Sequence, residues 1–235
     1  MFNLMFFVFA LPGMALAMWA RYRLTSTFGK YSKVPTTRRM TGAQVARSLL
    51  DAYGLQHVGV EHVPGQLTDH YDPRSHTLRL SDATYRSDSV AAAGVAAHEM
   101  GHALQHAEGY APLNLRGAMV PATNFGSNLG PWCVMGGLLL SNFTGSEFGL
   151  LIAWVGVALF GLAVLFSLVT LPVEFDASRR AKKLLHSEGL LSQDEIVGVD
   201  KVLDAAALTY VAAAISAIGT MLYYVYLLMG SRRRE

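Results

Sequence analysis

The sequence predicts a mainly α integral membrane protein, with about four transmembrane helices and a small α+β part built from one motif-bearing helix and a short hairpin or sheet. Three observations lead there. The 235 residues are 52% hydrophobic and only 15% charged, and the mean hydropathy is positive, a balance too apolar for an ordinary soluble domain. The apolar residues gather into uncharged stretches long enough to cross a bilayer. Between the first and second stretches lies a polar region with helix and strand periodicities of its own.

Residues 2–20 carry no charge, so residues 1–20 are read as the first transmembrane helix. Ala15-Leu16-Ala17 imitates a signal cleavage site. No Lys or Arg precedes the apolar run, however, and Arg21 and Arg23 follow it, so the segment is expected to be retained. Residues 21–116 form the soluble part. Residues 117–173 are expected to make a transmembrane hairpin, Gly117 to Phe143 and Phe148 to Val173, joined by the turn SNFTGSE. The first half of that hairpin is Gly-rich and polar at its start and includes Pro121 and Pro131. After a polar helix and loop at 174–204, residues 205–230 form a fourth span with Tyr223, Tyr224 and Tyr226 near one end, where interfacial aromatics belong. A basic tail, 231–235, closes the chain.

Within the soluble part, Thr41-Gly42-Ala43-Gln44 fits a capping box. The helix it opens places Ala46, Leu49, Leu50 and Tyr53 on one face and stops at Gly54. HVGVEHV, GQLTDHY and HTLRLS read as short strands, the last two forming a hairpin about Asp72-Pro73-Arg74-Ser75. Thr77, Arg79 and Ser81 alternate with Leu78 and Leu80, which predicts one buried face.

The chemistry lies in His98-Glu99-Met100-Gly101-His102, inside the alanine-rich run VAAAGVAAHEMGHALQHA. Residues four apart on an α-helix share a face, so His98 and His102 can converge on one metal ion. This is the HExxH arrangement of zinc hydrolases, in which the Glu beside the first His acts as general base, here Glu99. A catalytic zinc takes three protein ligands and keeps one position open. His106 continues the i, i+4 series, but it lies about 12 Å along the helix from His98, too far to share an ion with it. The better third ligand is Glu174 in LPVEFDASRRAKKLL, where Pro172 is expected to open a helix and Ala177 and Ala181 leave room for a neighbour. One Zn2+ per chain is the expected cofactor.

His98, His102 and Glu174 must share a side of the membrane, and the hairpin between them supplies two crossings. Seven Lys or Arg between Arg21 and Arg47 and five between Glu174 and Asp204 lie on that side, against Arg232, Arg233 and Arg234 on the other. The excess predicts a multi-pass protein of the cell membrane with a cytoplasmic active site and both termini outside. The single cysteine, Cys133, excludes an internal disulfide and a cysteine-rich zinc site. Basic residues without interleaved aromatics argue against nucleic-acid binding.

LTDHYDP, TLRLS, AAHEMGHALQHAEGYAPL, VPATNFGSN, LPVEFDASRRA and ALTYVAAA together resemble the YugP-like membrane-bound neutral zinc metallopeptidases, over nearly the whole chain. The resemblance implies a gluzincin similar in layout to the HtpX and CAAX prenyl protease group: a zincin-like part holding zinc on His98, His102 and Glu174, with Glu99 as base. Many gluzincins carry Asp four residues after the ligand Glu to orient a ligand histidine; here that position is Ser178, and either its hydroxyl, acting more weakly, or another nearby acceptor is the expected substitute. Asp176, two residues on, falls on a different face. Transition-state donors are sought among His70, Tyr71, Tyr85 and Arg180. Expected partners are peptide or membrane-protein substrates and the lipid bilayer; the residues specify neither a cleavage sequence nor an oligomeric state. Two other readings remain, a catalytically silent zinc-stabilised scaffold or chaperone and a site-2-type intramembrane protease. Glu99 argues against the first, and the absence of a Leu-Asp-Gly motif against the second.

Overall fold

A computed structural model describes residues 4–231. Helices dominate: α1 (Leu4–Tyr31), α2 (Gly42–Ala52), α3 (Asp82–Tyr85), α4 (Val90–Ala107), α5 (Ala111–Thr144), α6 (Glu147–Ser187) and α7 (Gln193–Ser231). Three short strands, β1 (Gly59–Val63), β2 (His70–Asp72) and β3 (Thr77–Ser81), make one sheet. The chain divides into two compact units. One draws on residues up to 19, 114–171 and from 209 onward; the other comprises 20–113 and 172–208. The basic tail beyond residue 231 lies outside the described residues.

In the second unit, the Thr41 hydroxyl accepts from the Gln44 N–H and the Gln44 amide oxygen accepts from the Thr41 N–H, so α2 starts with the capping box its sequence predicts. Ala46, Leu49 and Leu50 are buried with Val45, but Tyr53 is 39% exposed, because the helix ends one residue before it and turns its ring outward. The strand order is β1-β3-β2, with β2 antiparallel and β1 parallel to β3. The predicted hairpin is present: the Asp72 carboxylate accepts from the Arg74 N–H and the Ser75 hydroxyl and is clamped by Arg79, which holds it well below the usual carboxylate range. The expected one-faced burial of β3 does not hold. Thr77 and Ser81 are buried along with Leu78 and Leu80, because β3 is the central strand, paired on both edges. The core gathers Leu49, Leu50, Leu78, Leu80, Met100 and Leu185 around the alanine face of α4.

In the first unit, glycines bring α5 and α6 into backbone contact. A Cβ at Gly126 would stand 2.3 Å from the Leu159 carbonyl oxygen, and one at Gly137 would stand 2.5 Å from the Gly149 carbonyl oxygen. Small residues of this kind are what close packing of helices in lipid requires. Among the described residues, three helices are long and apolar enough to cross a membrane, α1, α6 and α7. The expected fourth, α5, has the length, at 34 residues, but its first half is too polar. Asn128 and Ser127 there return hydrogen bonds to the carbonyl of Asn124 on their own helix.

Pro172 does not open a helix. It lies inside α6, which runs from Glu147 to Ser187 and carries Glu174 on the same continuous helix as the apolar span. A proline costs one helical hydrogen bond and crowds the carbonyl four residues back, but a long helix held on both sides of it can continue.

Candidate active site

Helix α4 is built to be buried. Ser89 caps it by accepting from the Ala92 N–H, and Ala91, Ala92, Ala93, Ala96, Ala97 and Ala103 are almost fully buried. Its Gly101 meets α6 where a side chain would not fit: an added Cβ would lie 2.7 Å from the Ala177 carbonyl oxygen and 3.1 Å from the Ala177 Cα. Ala177 and Ala181 are both fully buried, as their small size predicts. Gly→Ala in an open helix gains about 0.5–1 kcal/mol, whereas overpacking costs about 1–3 kcal/mol, so the sign at Gly101 should reverse. Gly101→Ala is expected to lower the unfolding midpoint in detergent, whereas Gly117→Ala, where nothing lies within 4 Å, is expected to leave it unchanged or raise it. A stabilised Gly101→Ala protein would contradict this contact.

This approach places Glu174, itself 2% exposed, against the HExxH face of α4. Its Oε2 lies 3.3 Å from His98 Nε2 and 3.6 Å from His102 Nε2. The two imidazoles stand nearly perpendicular, with centroids 4.8 Å apart. One ligand atom from each of the three residues falls within 4.8 Å of the others. Donors about 2.0–2.1 Å from a tetrahedral zinc ion lie roughly 3.3–3.4 Å from one another, so the set fits zinc with little adjustment. The far side of each ring is also occupied. His98 Nδ1 is 3.2 Å from the Ser178 hydroxyl, and His102 Nδ1 is 3.0 Å from Gln105 Oε1, which leaves both Nε2 atoms facing Glu174.

Glu99 is buried beside this set, and burial pushes its carboxyl up, with Glu174 and Asp69 adding to the effect and the two histidines opposing it. Burial draws the His102 imidazole down, but Glu174, Glu99 and Gln105 outweigh it and the net shift is upward. Without metal, the pocket therefore favours a positive charge where its donors converge.

The other residues singled out in the sequence occupy distinct places. Tyr71 and His106 bond to each other, hydroxyl to Nδ1 at 2.9 Å, and His106 stacks on His76 with centroids 5.3 Å apart, so His106 braces the sheet against the end of α4. His70 is exposed and its Nδ1 donates to the Thr68 carbonyl at 2.8 Å. Tyr85 packs edge-on against His62. Arg180 donates to Asp176 at 2.6 Å and to Glu108 at 2.7 Å, and reaches the histidines only through Asp176 and Gln105.

Asp176 does lie on a different face of α6 from Glu174, but that face is buried and belongs to the site's surroundings. Gln105, which the motif analysis passed over, links them: its Nε2 donates to Asp176 Oδ2 and to the Val173 carbonyl oxygen, each at 2.9 Å. Its signal was present in the sequence, since Gln105 follows His102 by three residues and so shares its face.

Comparison with known proteins agrees with this geometry. The family model described as "Putative neutral zinc metallopeptidase" matches residues 6–229. The "Putative membrane protease YugP" of Bacillus subtilis (strain 168) is 45% identical over 229 residues, covering 97% of this chain and 99% of that protein. No solved structure matches. A match over nearly the full length, meeting a largely buried His–His–Glu cluster with the spacing of a zinc site, makes this chain a member of the family described as "Putative neutral zinc metallopeptidase".

Proposed function

We propose that the protein is a membrane-embedded, zinc-dependent endopeptidase of the gluzincin type. The observation that carries this reading is the spacing of His98, His102 and Glu174 with Glu99 buried beside them. A structural zinc site needs no adjacent general base, so Glu99 favours an enzyme over a silent scaffold. His98 and His102 would hold zinc through Nε2, and Glu174 through its carboxylate. Zinc bound there supplies Lewis acidity, polarising a peptide carbonyl and making water easier to deprotonate. Glu99 takes the proton of the attacking water and delivers it to the nitrogen of the departing amine. Ser178 and Gln105 keep the imidazoles facing inward throughout. The outer strands β1 and β2 each leave one edge unpaired within the sheet, and an extended peptide can add there by backbone hydrogen bonds. Substrates are accordingly peptides or the exposed segments of membrane proteins. The decisive test is zinc content together with casein or peptide-library hydrolysis by detergent-purified protein, beside Glu99→Gln. Zinc-loaded wild type as inactive as the variant would support the scaffold instead.

The reading extends to topology. His98, His102 and Glu174 meet in one site, and α6 is one apolar crossing between them, so α5 is the second crossing that returns the chain. The seven basic residues from Arg21 to Arg47 and five from Glu174 to Asp204 support a cytoplasmic site with both termini outside. In a Cys133→Ser background, an impermeant thiol reagent added to intact cells is expected to label Ser231→Cys and spare Ser75→Cys. The reverse pattern would invert the protein, and protection of both would mean that α7 does not cross.

A further inference from the structure

We infer that Gln105 is a positioning residue that sets the tautomer of His102 and ties the HExxH helix to the helix carrying Glu174. The inference rests on the metal-site reading above and adds a residue which the motif does not contain.

The argument begins with what each partner can do. The Val173 carbonyl oxygen can only accept a hydrogen bond. Asp176 already takes hydrogen bonds from Arg179 and Arg180 on its two carboxylate oxygens, so it too stands as an acceptor. Both stand 2.9 Å from the same Gln105 nitrogen, and only the –NH2 end of an amide can satisfy two acceptors. The amide is therefore fixed in one orientation, and its carbonyl oxygen must face His102. That oxygen is 3.0 Å from His102 Nδ1 and cannot donate, so Nδ1 carries a proton, and in the neutral imidazole the lone pair is on Nε2. Nε2 is the atom turned toward Glu174.

His98 is held differently. The Ser178 hydroxyl at its Nδ1 can donate or accept, and so chooses no tautomer. The site thus has one histidine whose lone pair is directed by a chain of fixed polarity and one whose lone pair is only permitted. The chain also crosses between elements. Gln105 on α4 holds two points of α6, Val173 and Asp176, which flank Glu174 in sequence. Gln105 is 0% exposed, so water cannot replace it without opening the packing.

The test is zinc affinity of the full-length protein in detergent, by competition with a chelating dye, with the d–d absorption of the cobalt-loaded form as a second readout. Gln105→Met keeps the volume and removes both polar ends; it is expected to weaken zinc by about 10–100-fold, the range for losing an outer partner of a ligand histidine. Gln105→Glu sets a carboxylate against Asp176 and the Val173 carbonyl, and is expected to weaken zinc at least as much. In Gln105→Glu with Asp176→Asn, the new amide donates to the new carboxylate, which still accepts from His102. That pair is expected to recover about tenfold over Gln105→Glu alone, with a cobalt spectrum returning toward wild type. A residue that merely filled space would not be rescued by swapping polarity at its neighbour. Gln105→Met binding zinc as wild type does would overturn the inference, and so would a double variant no better than Gln105→Glu. If Gln105→Met does not fold, the comparison of single and double charge variants decides. Failure of the metal reading itself looks different, since wild type would then bind no more zinc than Glu174→Ala.

Discussion

Glu99→Gln is expected to keep its zinc and lose peptide hydrolysis by several orders of magnitude. The two side chains have nearly the same shape, and position 99 is buried, so the replacement exchanges a carboxyl whose charge burial disfavours for a neutral amide. The ligand set is untouched. What disappears is the group that can accept a proton from water and return it to the leaving nitrogen, a contribution of about 10²–10⁴ in rate for general acid–base catalysis alone. The measurement is metal content and hydrolysis on the same preparation. A zinc-loaded Gln variant that still cleaves would remove Glu99 from the mechanism.

Glu174→Ala is expected to strip the metal, whereas His106→Ala leaves it in place. The contrast is informative because His106 continues the i, i+4 series of the motif, whereas Glu174 lies on a different helix. His106 sits two turns beyond His98 and bonds to Tyr71, so its loss loosens the sheet and touches no metal donor. Glu174 supplies the only carboxylate among the three clustered donors. Its removal leaves two imidazoles and no anionic donor, and the loss of affinity should exceed the about 10–100-fold typical of an outer partner. Zinc per chain, measured after extensive dialysis, separates the two variants. Retention in Glu174→Ala with loss in His106→Ala would reassign the third ligand.

The elements legible in the sequence are those whose cause is local. Thr41 and Gln44 cap α2 through contacts three residues apart, and Asp72 closes the hairpin over a similar distance. His98 and His102 share a helix face by periodicity alone. Glu174, 72 positions beyond His102, could be proposed because an unfilled coordination position needed a donor and the small Ala177 and Ala181 beside it left room for another helix. The missed features depend on partners distant in sequence. Nothing in TLRLS reveals that a second strand will pair with it in parallel and bury its threonine and serine. Pro172 carries a strong local helix-start signal, but the 41-residue helix around it overrides that signal. Asp176 reads only as lying on a different face from Glu174 until Gln105 of another helix is brought against it. Helix α5 is polar in its first half, and among the described residues it is not one of the three helices apolar enough to cross a membrane.

The contact between Gly101 and Ala177 also determines how the metal pocket can deform. Two backbones this close cannot be pushed much closer, because repulsion rises steeply, and the Gln105 hydrogen bonds to Val173 and Asp176 resist their separation. The spacing of the two helices is therefore bounded below by contact and above by hydrogen bonds. An ion that needs shorter bonds would find the helices already at their stop, and one that needs longer bonds would have to stretch the Gln105 bridge.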